Sequence, residues 1–289
     1  MRQLLEPYDL DQIVHIGGVD HPESIAIGPQ GEPYTTGTGC QVYRVNLDRN
    51  DATQYAQTEN RCLGQAVDAA GNLYCAECGL GQVLRITPRG ELSPYATGPA
   101  GRSFVCTNYP AFDSEGNMYL SDSGDWSHQI NGRIYKIAPG GGEAEVWYPD
   151  AVDTPNAIAL DADEDYLYFV ETFGNAIARI AIRADGSAGA FERVVHMPRH
   201  VPDGIAFDVE ERLWIACHRP DVIYVYDLRS RRLELFAEDW MGEALRGPTD
   251  IAFAGPKLDI ILAASLDNLT IHRFDHTGVH GLPLHHPKL

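Results

Sequence analysis

Apolar and polar positions alternate along this chain in one pattern that recurs six times. The copies read HPESIAIGPQGEPYTT from His21, RCLGQAVDAAGNLYCAE from Arg61, CTNYPAFDSEGNMYLSD from Cys106, TPNAIALDADEDYLYFVE from Thr154, VPDGIAFDVEERLWIAC from Val201 and GPTDIAFAGPKLDIILAAS from Gly247. Each holds a short apolar run, a turn rich in Asp, Gly and Glu, and a second apolar or aromatic run. Every copy is followed by a further alternating stretch: QVYRVNL, QVLRITP, GRIYKIAP, AIARIAI, VIYVYDL and LTIHRFD. Period-2 alternation predicts half-buried strands. The turns place Asp, Asn and Gly where a hairpin needs unusual backbone angles. No stretch longer than about a dozen residues keeps apolar positions at helical spacing.

The residue just before the first apolar run is Glu23, Leu63, Asn108, Asn156, Asp203 or Thr249, at intervals of 40, 45, 48, 47 and 46 residues. A period in the forties with room for four strands is that of a propeller blade. The pattern therefore predicts an all-β chain, a six-bladed β-propeller of four-stranded blades around a central channel. One such domain spans residues 1–289. The strand-like QIVHI before the first copy is expected to complete the last blade and close the ring, leaving no free sheet edge.

Composition bears on partners more than on fold. A net charge of −19 argues against nucleic acid and anionic membranes, and no run approaches the roughly 18 apolar residues of a membrane span. The start, MRQLLEPYDLDQ, is too acidic and too briefly apolar for a secretory signal. The six cysteines lack the spacing of a disulfide scaffold, so reduced thiols in a cytoplasmic protein are expected. Cys75 and Cys78 form a CxxC with no second pair to complete a zinc site, and His276, His280, His285 and His286 match no ligand spacing. The expected partner is a small molecule.

A repeated unit brings the same position of every copy to the same place around the ring. Four of those positions, Glu23, Asn108, Asn156 and Asp203, carry carboxylate or amide oxygens. Two carboxylates facing one point in a narrow channel are costly unless a cation neutralises them. Oxygen ligands without His or Cys favour calcium, with magnesium, manganese and, last, zinc as alternatives. One such residue alone reads as a strand cap; four in register read as a metal site. A cation open to solvent suits polarising a carbonyl and orienting a water, with a carboxylate to remove the proton. Glu171, Asp122 and Asp125 follow second strands that return to the same face, so they join Asp203 as candidate bases; any one of them taken singly reads better as a solvated loop acid. The long loop from Ser121 to Arg133 brings Trp126 and His128 over the channel. Tyr109, Trp126, Asn108 and His218 are the candidate substrate contacts, His218 reading also as an ordinary rim histidine.

The strings PES at Pro22–Ser24, PNAIAL at Pro155–Leu160, PDGIAFD at Pro202–Asp208 and GLPLHHP at Gly281–Pro287 carry a resemblance. In their order and spacing the chain resembles the SMP-30/gluconolactonase/luciferin-regenerating-enzyme family from about Gln12 to the end. The resemblance implies a divalent cation held by Glu23, Asn156 and Asp203, with Asn108 joining the shell or contacting substrate, and Asp203 as candidate base. It also implies lactone hydrolysis. Two positions depart from the family pattern: Cys106 stands where an Arg reads sugar hydroxyls, and Tyr109 where an Asp is frequent. Both make the pocket less cationic and more aromatic than one for an aldonolactone. PYTTG at Pro33 and YLYFVET at Tyr166 resemble strictosidine-synthase-like propellers. The alternative to a metal-dependent hydrolase of lactones or esters is thus a non-catalytic or strictosidine-synthase-like propeller with a structural calcium, binding a small molecule or a protein.

Overall fold

Each repeated phrase folds as the two inner strands of an antiparallel sheet. The computed structural model describes residues 6–127 and 129–289. The inner strands are Ile25–Ile27, Cys62–Val67, Thr107–Phe112, Pro155–Leu160, Val201–Phe207 and Pro248–Ala254, and the remaining strands of each blade follow outward in order. The expected six-bladed propeller is what forms. Asp side chains close the inner turns: Asp68 Oδ1 accepts from the Ala70 and Asn72 amides at 2.9 and 2.8 Å, and Asp113 and Asp208 repeat the device. That local capping is why DAAGN, DSEGN and DVEER recur at blade after blade.

The strand Val14–Ile16 pairs antiparallel with Ile271–Phe274, so the N-terminal segment supplies the outer strand of the sixth blade, as expected. One pairing is additional. Gly142–Glu143, from the third blade, runs parallel to Leu92–Thr97 and gives the second blade a fifth strand.

Blades pack face to face through apolar clusters. Trp214, Phe236, Phe253 and Phe274 join the fifth to the sixth, while Ile16, Ile25, Val45 and Leu262 join the sixth to the first. The closing interface is thus made of the same material as the others, and each large side chain buried there contributes about 1.5–3 kcal/mol. The C-terminal segment straps the face opposite the inner-strand starts. The Leu282 amide donates to Phe207 O and the Ala69 amide to Pro287 O, both at 2.9 Å. His280, His285 and His286 engage Lys257 O, Glu164 and Val67 O separately.

Cys40, Cys62, Cys75 and Cys217 are free thiols, but Cys78 and Cys106 are joined in a disulfide. The expectation of six reduced cysteines fails there for a topological reason. Cys78 ends the second strand of blade two and Cys106 opens the inner strand of blade three. The Phe104 amide donates to Gly81 O at 2.9 Å and lays these two segments side by side at the seam between blades. Sequence spacing does not reveal that seam.

Candidate metal and substrate site

A bulge at a fixed point of the inner strand builds the site. In the third blade the pairing passes from Thr107–Asp122 to Pro110–Leu120, and in the fourth from Pro155–Glu171 to Ile158–Phe169. The second, fifth and sixth blades shift register at the same place. One extra residue on the inner strand re-aims the side chains it carries. Asn108, Asn156 and Asp203, aimed by these bulges, and Glu23, which precedes the unbulged inner strand of the first blade, line one cavity of about 10 Å³ at the ring centre, together with Tyr109 and Asp250. That is room for about one water-sized occupant.

Packing around the cavity is close. A Cβ at Gly64 would lie 2.5 Å from the Tyr109 ring, and one at Gly204 would lie 2.3 Å from Asp250 Cα. Asn156 Nδ2 donates to Asp203 Oδ1 at 2.7 Å and to Thr172 Oγ1 at 3.2 Å; Asn108 Nδ2 donates to Ser123 Oγ at 2.8 Å. Both amide NH2 groups are thereby engaged, which leaves the Oδ1 atoms as the acceptors the two residues can offer a ligand. Arg61 Nη2 donates to Glu23 Oε2.

Burial drives the Asp203 carboxyl well above the usual carboxylate range, and repulsion from Glu23 and Asp250 adds to it. Burial raises Glu23 too, while the Arg61 and His218 charges act in the opposite sense. Asp250 is pushed up to about 7 by burial, against hydrogen bonds from the Ile25 amide (2.7 Å), the Ile251 amide (2.8 Å) and the Tyr109 hydroxyl (3.1 Å). Three buried acids with a single guanidinium, Arg61, among them surround an ion-sized space, and with the amide oxygens beside them they suit one hard cation. Among the described residues no three His, Cys, Asp or Glu side chains gather as a metal cluster. Asp250 spends its oxygens on the backbone and Tyr109, so two amides, not a third acid, would complete the ligand set with Glu23 and Asp203.

Several residues singled out from the sequence lie elsewhere. Glu171 is buried, but Arg193 Nε donates to its Oε2 at 2.5 Å, so its charge is already matched away from the cavity. Asp125 is exposed and bonded to Ser127, which holds its carboxyl below the usual range. Asp122 accepts the Val105, Cys106 and Gly124 amides and is structural. His218 is half-buried on the rim with Nε2 at 3.5 Å from Asp267. Trp126 stands at the rim, its Nε1 donating to Cys106 Sγ at 3.5 Å. Tyr109 does line the cavity, but its hydroxyl crosses the ring to Asp250. His128 lies outside the described residues.

Sequence reasoning missed Asp250 and Arg61. Asp250 had a signal, an acid inside the otherwise apolar strand Pro248–Ala254. Arg61 had another, because it stands two residues before Leu63, the register position that Cys106 occupies before Asn108.

The family model for the SMP-30/Gluconolactonase/LRE-like region matches residues 91–266, more than half of the chain and everything in the site except Glu23, Ser24, Arg61 and Gly64. The protein STRICTOSIDINE SYNTHASE-LIKE 3 of Arabidopsis thaliana is 28% identical over 247 residues, which cover 72% of this chain and 62% of that protein. Lactonase drp35 of Staphylococcus haemolyticus is 22% identical over 202 residues, 66% of this chain and 61% of that one. The chain thus spans about three fifths of the length of these two relatives. Among solved structures, a calcium-binding protein, regucalcin, from Agrobacterium tumefaciens superposes with a TM-score of 0.77 at 16% identity, covering 99% of both chains. Matched by the family model over blades three to five and the inner half of the sixth, and folded as a six-bladed ring, this chain belongs to the SMP-30/gluconolactonase/LRE-like family.

Proposed function

We propose that the protein is a hydrolase that opens a small lactone, or cleaves a related ester, with a divalent cation held by Glu23, Asn156 and Asp203. Asn108 is a fourth or outer ligand, and calcium is the first choice of metal. One observation carries this reading: four oxygen-bearing side chains from four blades converge on a single ion-sized cavity. Family membership and similarity to a lactonase support the same class of chemistry.

When bound, the cation supplies Lewis-acid polarisation of the acyl carbonyl and orients a water. The chain's own residues do the rest. Asp203 takes a proton from the water as its oxygen bonds to the acyl carbon. The ring C–O bond breaks and the proton passes to the departing alcohol oxygen, so lactone and water give one hydroxy acid. Asn156, bonded to Asp203, fixes the orientation of that carboxyl. Trp126 and His218 border the approach from the rim.

A second reading has one feature in its favour. Arg61 already matches the charge of Glu23, which is what a propeller without a catalytic cation needs. That protein would bind its small molecule or partner without chemistry. A panel of lactones, assayed by acid release with chelator and with calcium returned, separates the two. Hydrolysis lost on chelation and restored by calcium supports the hydrolase; no turnover of any lactone by calcium-loaded protein supports the binding propeller.

A further inference from the structure

The cavity holds little more than a water, so the bulk of any substrate must lie on the rim. The segments that orient the Asn108 and Asn156 amides also carry two aromatic rings. Ser123, which accepts from Asn108, precedes Trp126 by three residues; Thr172, which accepts from Asn156, is followed by Phe173. Trp126 and Phe173 meet edge to face with centroids 5.7 Å apart, forming a wall across the seam of blades three and four. Trp126 holds a φ of 57°, a backbone state that a bulky side chain keeps only when its surroundings impose it. Its indole N–H is engaged by Cys106 Sγ, so the group it offers a ligand is the ring. Val105, next to Cys106 whose Sγ takes the indole N–H, Leu80, two residues after Cys78, and Ile130, on the same loop as Trp126, are 60%, 51% and 59% exposed. The Cys78–Cys106 disulfide ties the Leu80 and Val105 segments together beneath them. Large aliphatic groups at such exposure, adjoining a polar cavity, mark a binding surface.

We infer that the wall of Trp126 and Phe173, with the ledge of Leu80, Val105 and Ile130, is a subsite for an apolar substituent of the substrate, an alkyl or aryl group carried by a lactone whose carbonyl faces the mouth of the cavity. This rests on the hydrolase reading for the lactone but not for the apolar group. The test therefore uses two probe series, γ-lactones with alkyl side chains of increasing length and 2-alkylcyclopentanones, which present a ring carbonyl and cannot be hydrolysed. For wild-type protein loaded with calcium, kcat/KM for the lactones and affinity for the ketones should rise up to about three- to fourfold per added methylene. Trp126→Ala should flatten that rise, and so should Val105→Ser, an exposed position where folding is not at stake. Ketones that bind with this chain-length dependence while no lactone turns over would keep the subsite and remove the hydrolase reading. Ketone affinity independent of chain length, or a rise undiminished in both variants, would overturn the subsite. So would a ledge that binds neutral phosphatidylcholine vesicles without discriminating among the ketones.

Discussion

The Tyr109 hydroxyl of the third blade donates to Asp250 of the sixth at 3.1 Å, across the centre of the ring. Two residues 141 positions apart thus lock opposite blades together at the edge of the cavity. Tyr109→Phe keeps the ring against Gly64 and removes only this bond, leaving a buried carboxyl with one donor fewer. Stability should fall by about 1–3 kcal/mol, measured by urea denaturation at neutral pH.

Asp250 also gives the stability a pH dependence. Its folded pKa, about 7, lies above the value of an unfolded aspartate. A raised carboxyl contributes stability that is fully present below the unfolded pKa, near pH 4, and is lost as pH rises through 7. In metal-free protein Asp250→Asn should therefore gain on the wild type by roughly 1.4 kcal/mol per pH unit across that window. Parallel stability curves for the two proteins from pH 4 to pH 8 would refute the assignment.

Arg61 and a bound cation compete for one carboxylate. Removing the guanidinium charge with Arg61→Gln leaves Glu23 without its partner, so calcium should bind more tightly, by roughly tenfold for each 1.4 kcal/mol of repulsion relieved. Weaker calcium binding in this variant would mean that Arg61 positions Glu23 for the ion instead of opposing it.

Asp203 and Asp125 separate the site from its surroundings. Asp203→Asn should lower turnover of the best lactone by on the order of 100- to 1,000-fold at saturating calcium. Asp125→Asn, on an exposed loop acid bonded to Ser127, should stay within about twofold, as surface changes away from a site do. Steady-state kinetics on the two variants decides this.

The ring and the four oxygen-bearing positions were legible because a repeat puts equal positions at equal places. Glu23, Asn108, Asn156 and Asp203 could be aligned from the sequence and do meet. What aims the last three inward, the extra residue seen in register between Pro155–Glu171 and Ile158–Phe169, has no local signature. Residues whose role depends on partners from other strands or other blades were misread for the same reason. Glu171 looked free until Arg193, 22 residues away, met it, and Cys78 and Cys106 looked unrelated until two blades brought them together. Asp250 stands one place after Thr249, so register alone passed over it.

Calorimetric titration of calcium into wild type, Glu23→Gln and Asp203→Asn tests the central claim most directly. One ion per chain is expected in the wild type and much weaker binding in both variants, with a melting temperature that rises on adding calcium in the wild type alone. Binding of unchanged stoichiometry and affinity in both variants would contradict it.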